Sequence, residues 1–431
     1  MKTITFLFLF VSALAASNLL VATAHAKGLT YLEITSPGAK KINFAVPAFA
    51  GNGSEDQRKS LGKECADIVG RALQFHGIIS VIPAKDYGDS QTADWKKTGA
   101  DYVILSQYSS SSGSLAFQLS LLDVANGGIL MKKSFHGPVS QKDEMLFKFC
   151  DTVIKELTGE QGIASSRIAF VSSNNRAKEV FITDILGLHF RQVTRHHSLV
   201  VSPRFTPDGQ SLCYSSYHSG NQDLYITDLR QNVRTVTLSR HRGMNLASSW
   251  APDGRTMIVT LSVSGNPDLY LMDSRGDILE RLTKNEGANV SASYSRDGRR
   301  IVFVSDRSGK PHLYLMDLAG KRVQRLTFTG QENTDPDWSP KEDLIVYSSL
   351  IGGTYQICTI KPIPNAAPTQ ITNDSANKEQ PSWSADGNQI VFSKQSGGIS
   401  KIYGMLKNGS FERHLFSYPG SQAYPRWTRI Q

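Results

Sequence analysis

An aromatic residue recurs at one place in a repeated unit through the second half of the chain. The positions are Phe205, Trp250, Tyr294, Trp338, Trp383 and Trp427, at spacings of 45, 44, 44, 45 and 44 residues. A fixed period of this length marks a repeat architecture, because each unit is one supersecondary element that buries its apolar face only against its neighbours. That requirement decides the fold of residues 167–431 and argues against most enzyme folds there.

Each aromatic opens a short motif. The copies read Phe205-Thr206-Pro207-Asp208-Gly209, Trp250-Ala251-Pro252-Asp253-Gly254, Tyr294-Ser295-Arg296-Asp297-Gly298 and Trp383-Ser384-Ala385-Asp386-Gly387. Asp-Gly between apolar runs signals a hairpin, since both residues tolerate the positive φ of a tight turn. A β-prone run follows each turn, as in Leu212–Tyr214, Met257–Val259, Ile301–Val304, Ile345–Tyr347 and Ile390–Phe392. An alternating run such as Leu313-Tyr314-Leu315-Met316-Asp317 comes next, and a short one such as Arg325-Leu326-Thr327 closes the unit. Four strands in ~44 residues match one propeller blade. The copy at Trp338 reads Pro340-Lys341-Glu342 and lacks the glycine, so its hairpin needs another geometry. The proline-rich stretch Ile360–Pro368 lengthens an outer loop of the same unit.

The two ends of the repeat complete one another. Residues 167–194 supply three strands, Ile168–Val171, Val180–Asp184 and Arg191–Thr194, without an opening aromatic strand. The chain stops after Pro425-Arg426-Trp427-Thr428, an opening strand with no blade behind it. The expectation is a six-bladed β-propeller whose first blade is closed by the C-terminal strand, which removes exposed sheet edges.

Ahead of the propeller the chain reads as four parts. Residues 1–26 resemble a secretory signal: Lys2, the apolar run Ile4–Val11 and the small-x-small site Ala24-His25-Ala26. Ser12, Ser17 and Asn18 interrupt the apolar stretch, which argues against a membrane anchor. Lys27, not a cysteine, follows the cleavage site, so no lipid attachment is indicated. Residues 27–41 form a flexible segment with a β-prone run at Tyr31–Thr35, suited to adding as a strand to a partner. Residues 42–160 form a small α/β domain: strands at Ile42–Phe49, Ile78–Ile82, Tyr102–Ser106, Leu115–Asp123 and Ile129–Phe135, with helices at Ser54–His76 and Lys142–Leu157. In the first helix Leu61, Cys65, Ile68, Val69, Ala72 and Leu73 share a face. Residues 161–166 are a linker.

The formal charge of +9 falls to +8 when Lys2 is removed with the signal. A moderately basic surface suits an acidic partner, wall polymers or anionic lipid. No Arg/Lys-rich stripe or aromatic binding motif points to nucleic acid. The four cysteines, Cys65, Cys150, Cys213 and Cys358, fit no zinc spacing. Cys65 and Cys150 lie on the two helices, where an oxidising compartment would permit a disulfide. Cys213 and Cys358 read as buried apolar residues of two blades.

The chemistry of common enzymes is missing. The chain has no G-x-S-x-G, no G-x-x-x-x-G-K-[ST] and no H-E-x-x-H. His196-His197 invites a metal, but no acidic cluster accompanies the pair, and adjacent loop histidines more often face solvent or a partner. No catalytic residue, metal or cofactor is expected.

Strand alternation puts the Asp-Gly turns at one end of the propeller and the interblade loops at the other, converging on the central channel. Five residues before each aromatic stand Val200, Asn245, Asn289, Asn333, Lys378 and Gln422. Two residues later come Ser202, Ala247, Ser291, Asp335, Gln380 and Tyr424. These rings, rich in amides and hydroxyls, suit hydrogen bonding to a protein or peptide better than metal-assisted hydrolysis. The competing reading is that asparagines here only make turns.

A signal, a small α/β domain and six Trp-Ser-Pro-Asp-Gly-type blades closed by a Pro-x-Trp strand resemble the TolB family, the periplasmic propellers of the Tol-Pal system. The resemblance covers essentially the whole mature chain. It implies a non-enzymatic scaffold that binds the Pal lipoprotein through the propeller and TolA through the mature N-terminus. It further implies a role in outer-membrane invagination at division and in envelope integrity. By position Leu29–Gly38 is the TolA-binding segment, with Leu29, Tyr31, Leu32, Glu33, Ile34 and Thr35 the candidate contacts. The loop Arg240-His241-Arg242-Gly243-Met244 resembles the Pal-facing loop, with His241 its best match. Met244 and Asn245 continue that loop, Asn289 and Val290 stand in the next, and Asn333 and Asp335 in the one after. The alternatives are a lactonase-like periplasmic hydrolase, which would need several carboxylates at the channel mouth, and a wall-binding module.

Overall fold

The computed structural model describes residues 40–52, 55–88, 93–174, 177–230 and 234–428. The expected signal and the N-terminal segment Leu29–Gly38 lie outside the described residues.

The first domain is a mixed sheet with two helices on one face. Strands β1 (Ile42–Ala45), β2 (Ala50–Gly51), β3 (Ile79–Val81), β4 (Tyr102–Ser111), β5 (Ser114–Asp123) and β6 (Gly128–Pro138) run in the order β3-β1-β4-β5-β6, with β2 beside β4. The strand expected over Ile42–Phe49 is shorter, Ile42–Ala45: β1 pairs in parallel with β3 and β4, and beyond it Phe49 turns its side chain into the core. Helices α1 (Glu55–Phe75) and α2 (Lys142–Thr158) cover the face carrying Ile104, Leu115, Phe117, Leu119 and Leu121. Helix α2 ends at Gly159, whose φ of 76° closes a left-handed cap, its N–H bonding Lys155 O. Cys65 and Cys150 are buried in this layer as free thiols; the permitted disulfide is not formed, and Cys150 Sγ instead contacts Val69 O at 3.8 Å. Burial pushes the Cys65 thiol up to about 12, so it stays protonated. Cys213 and Cys358 are free and buried in blade strands.

Six four-stranded antiparallel sheets form the propeller. Blade 1 takes its innermost strand from the C-terminus: Ser421–Trp427 pairs with Arg167–Asn174, Trp427 opposite Ile168. Blades 2 to 6 open at Val200–Phe205, Asn245–Trp250, Asn289–Tyr294, Asn333–Trp338 and Asn377–Trp383. The period follows from packing: each aromatic fills the space toward a neighbouring blade, and Trp338 and Trp383 are wholly buried. The turn glycines Gly209, Gly254, Gly298 and Gly387 have φ of 66°, 69°, 69° and 68°, the conformation that selects glycine. Blade 5 solves its missing glycine differently. The Ser339 hydroxyl accepts from Lys341 N at 3.3 Å and Glu342 N at 3.2 Å, while Ser339 N bonds Leu344 O.

The α/β domain sits on the Asp-Gly turn end, sharing one apolar core with blades 1 and 6 and meeting blade 5 through an ion pair. Phe75, Leu146 and Phe149 join Ile168, Phe170, Ile185, Val391, Ile402, Phe416 and Trp427 in a single cluster. Phe75 meets Trp427 edge-on at 6.0 Å. The last turn of α1 is gripped from blade 6, where Phe75 O accepts from Gln389 Nε2 at 2.8 Å and Arg413 Nη2 at 2.9 Å. Burial pushes the Arg413 guanidinium down to about 9, still charged at neutral pH, and it lies 4.3 Å from the Phe75 ring centre. Lys341 pairs with Glu160 at 2.9 Å. The linker is pinned too: Asp151 accepts from Ala164 N at 2.6 Å and Ser165 N at 3.0 Å, and His76 Nε2 accepts from Ile163 N at 3.1 Å.

Candidate functional site

The opposite, interblade-loop end carries no domain among the described residues. Its geometry begins with the innermost strands. Every one breaks its register with the second strand just before the aromatic, between Val201 and Arg204 in blade 2, for example, and between Thr334 and Asp337 in blade 5. At these bulges Ser202, Ser291, Asp335, Gln380 and Tyr424 take φ of 54°, 55°, 50°, 59° and 53°. Four of them precede a proline, which has no N–H to lose at a bulge.

In four blades the aromatic's backbone N–H bonds a side chain of the neighbouring blade. Tyr294 N bonds Ser249 Oγ at 3.3 Å, Trp338 N bonds Ser293 Oγ at 3.0 Å, Trp383 N bonds Asp337 Oδ2 at 2.8 Å and Trp427 N bonds Ser382 Oγ at 3.4 Å. In the remaining two blades the equivalent side chain is an arginine that donates across: Arg204 Nε to Ser248 O at 2.7 Å and Arg426 Nη1 to Pro381 O at 2.8 Å. The sequence reasoning missed this hub ring. Its signal is the alignment column directly before the aromatic, which is polar in all six copies.

The ring five residues before the aromatic is not a surface. Val200, Asn245, Asn289, Asn333, Lys378 and Gln422 are all wholly buried. Asn245 Oδ1 accepts from Ser239 Oγ at 2.6 Å and His241 N at 3.0 Å, while its Nδ2 donates to Gln222 O at 2.9 Å and His241 O at 2.6 Å. Asn289 donates to Asp268 Oδ1 at 3.0 Å and accepts from Arg307 Nη2 at 2.8 Å. Asn333 donates to His312 Nδ1 at 2.8 Å and Thr329 O at 2.9 Å. The expectation that Asn245, Asn289 and Asn333 offer amides to a partner is corrected on this point. A buried amide saturates loop carbonyls because leaving them bare costs more than the bond returns in water. These residues set the shape of each interblade loop.

The other candidates reach solvent. His241 and Met244 are half-buried on the loop that Asn245 holds, and Met244 N is fixed by Ser262 Oγ at 2.7 Å. Val290 is half-buried beside blade 5. Asp335 lies in the channel; burial raises its carboxyl, and the charges of Arg426 and Arg204 oppose that rise. Glu379 is raised by burial and then by Asp335. Acids and arginines thus balance along the channel, and no group of three metal-ligating side chains occurs among the described residues.

These features define a class: a six-bladed propeller with an α/β domain fused over its turn end and its interblade-loop end left open. The chain matches the family model of the TolB beta propeller domain over residues 154–431 and that of the TolB amino-terminal domain over residues 30–130. It belongs to the TolB family. It is similar to the Tol-Pal system protein TolB of Desulfotalea psychrophila, 54% identical over 219 residues, 51% of this chain and 50% of that one. With the TolB of Geobacter sulfurreducens it shares 32% identity over 214 residues, 48% and 49% of the two chains. The chain spans about half the length of the curated relatives it matches. The crystal structure of TolB from Acinetobacter baumannii superposes with a TM-score of 0.79 at 26% identity, covering 91% of this chain and 97% of that one. No helix among the described residues is long and apolar enough to cross a membrane.

Proposed function

We propose that the chain is a non-enzymatic periplasmic scaffold of the Tol-Pal envelope complex. The interblade-loop end of the propeller binds the Pal lipoprotein, and the segment Leu29–Gly38 binds TolA. Through these partners the protein supports outer-membrane invagination at division and outer-membrane integrity. One observation carries the reading: the α/β domain occupies the turn end, while the other end presents loops whose shape is locked from beneath by buried amides. Pre-shaped loops bind a folded partner without a large ordering cost. Within the candidate set, His241, Met244, Val290 and Asp335 make the contacts, and Asn245, Asn289 and Asn333 act by holding the loops. The family's association with the Tol-Pal system supports a partner among the components of that system.

The test is a calorimetric titration of the mature protein with the periplasmic domain of Pal from the same source, using wild type and His241→Ala. The expected result is wild-type binding weakened about tenfold or more, ~1.4 kcal/mol or above, by the substitution. A wild type that does not bind removes the reading.

A further inference from the structure

One place at the turn end recurs between neighbouring blades: the space over the aromatic that opens the second blade of each pair. In three pairs a side chain lies against that aromatic. Between blades 6 and 1 it is Phe75 of the α/β domain, 6.0 Å from Trp427, with Gln389 and Arg413 donating to the Phe75 carbonyl. Between blades 1 and 2 the Arg167 guanidinium lies 5.7 Å from the Phe205 ring centre. Between blades 4 and 5 the Arg300 guanidinium lies 5.0 Å from the Trp338 ring centre. The repeat places these residues alike. Arg300 stands six residues after Tyr294, and Gln389 six after Trp383. Arg167 directly precedes Ile168, which pairs with Trp427 as Met257 pairs with Trp250.

Between blades 3 and 4 that place is held by Thr256, whose side chain has no group to stack on a ring. A cavity of about 420 Å³ is open there beside Tyr294, with apolar walls at Leu271, Leu282 and Leu318. Its charged residues are Asp253, Glu280, Asp297 and Lys321. Lys321 pairs with Glu280 at 2.9 Å, which leaves the two aspartates in excess. Each uses Oδ1 to close its own turn, accepting from Arg255 N at 3.0 Å and Arg299 N at 3.1 Å, and Oδ2 of each accepts nothing among the described residues. The Arg300 charge that acts on Asp297 is itself paired with Asp343 at 3.1 Å. Asp253 and Gly298 are exposed, so the cavity opens to solvent.

The character of this slot is inverted relative to the one that holds Phe75. Glu280 pairs across from Leu271 as Arg413 pairs across from Gly404, so an acid stands in blade 3 where blade 6 has an arginine. Blade 6 offers donors to a carbonyl; blade 3 offers acceptors, and its occupant must bring N–H groups and positive charge. A guanidinium meets every condition. It stacks on aromatic rings, its planar fork matches carboxylates, and its methylene stem buries against apolar walls.

We propose that the slot between blades 3 and 4 is a further docking site, which takes an arginine side chain of a partner protein. The stem lies against Leu271, Leu282 and Leu318, and the guanidinium pairs with Asp253 and Asp297 beside Tyr294, as Arg300 stacks on Trp338 one blade on. The site lies at the opposite end from His241 and Met244, so it is independent of the partner assigned to those loops.

The experiment labels the leucine methyl groups of the mature protein and titrates it, by NMR, with N-acetyl-arginine amide and with N-acetyl-citrulline amide, which keeps the stem and loses the charge. The expected result is saturable shifts of the Leu271, Leu282 and Leu318 signals with the arginine probe, and binding weaker by about tenfold or more with the citrulline probe, the loss of one charge-assisted pairing. Asp253→Asn and Asp297→Asn keep an oxygen for the turn bond and each weaken the arginine probe. Thr256→Arg supplies the guanidinium from within the chain, as Arg300 does in blade 4, and removes binding; signals of leucines away from the slot stay in place if the fold is kept. No saturable shift at the three leucines, equal binding of the two probes, or undiminished binding when Asp253→Asn and Asp297→Asn are combined overturns the proposal.

Discussion

The two ends of the propeller are built from the same repeat and solve opposite problems. At the turn end, apolar side chains of blades 1 and 6 run on into the α/β domain, and Phe75 and Trp427 meet across the boundary. At the interblade-loop end, wholly buried polar side chains support loops that stay open to solvent. One end spends its surface on burying area, which is non-directional and roughly proportional to contact. The other fixes direction with hydrogen bonds, which add little net stability but specify one geometry. The difference teaches where substitution should destabilise the protein and where it should change only recognition.

The turn end should break hardest. Trp427 both closes blade 1 and packs against Phe75, so Trp427→Ala is expected to cost about 3–5 kcal/mol, the range for removing a large buried aromatic. Urea denaturation followed by tryptophan fluorescence measures it; a loss below ~1 kcal/mol would mean that closure and domain docking do not share a core. Asn245→Ala at the other end is expected to cost less, about 1–3 kcal/mol, by leaving Gln222 O and the His241 loop without their partner. Hydrogen exchange should show the lost protection confined to residues 239–245.

Acidification sharpens the contrast, because the buried titratable pair lies on the domain side. His76 Nδ1 lies 3.0 Å from Ala72 O, and its Nε2 accepts from Ile163 N; burial, opposed by Asp386 and Asp151, holds the imidazole below its ordinary value. A group depressed on folding contributes stability that is complete above its unfolded value, about 6.5, and is lost as pH falls from there through the folded value. Asp151 is raised by burial and works in the opposite sense: its contribution is complete below the ordinary carboxyl value of about 3.9 and is lost as pH rises through its folded value. The His76 contribution to unfolding free energy should therefore fall below pH 6.5 with a slope of at most ~1.4 kcal/mol per unit. His76→Gln should flatten the slope; the same slope in the variant would assign the acid sensitivity elsewhere.

Much of this was legible in the sequence. The aromatic period gave blade number and strand order, and the complementary fragments at 167–194 and 425–428 gave the closure, because repeats and turn chemistry are local. Which loops share an end of the propeller followed from strand alternation. The burial of Asn245, Asn289 and Asn333 did not, because a polar column five residues before an aromatic reads alike whether its side chains point to solvent or to loop carbonyls. The bulges that turn the strands there depend on positive φ at Ser202 or Tyr424, residues with no turn signature of their own. The shared core was equally hidden: Phe75 and Trp427 lie far apart in sequence, and each satisfies its own periodicity without reference to the other.

The smallest expected effect separates the two roles within a single loop. His241 and Asn245 are four residues apart, and the first reaches solvent from a backbone that the second holds at both N–H and carbonyl. The His241 imidazole has no partner of comparable number, so His241→Ala should change unfolding free energy by no more than ~0.5 kcal/mol, as surface substitutions generally do. Asn245→Ala should lose stability and Pal affinity together, since it releases the loop, whereas His241→Ala should lose affinity alone. Measured side by side by urea denaturation and Pal titration, the two variants divide holding from contacting. If His241→Ala also destabilises the fold by ~1 kcal/mol or more, the imidazole belongs to the support, and contact at this loop falls to Met244.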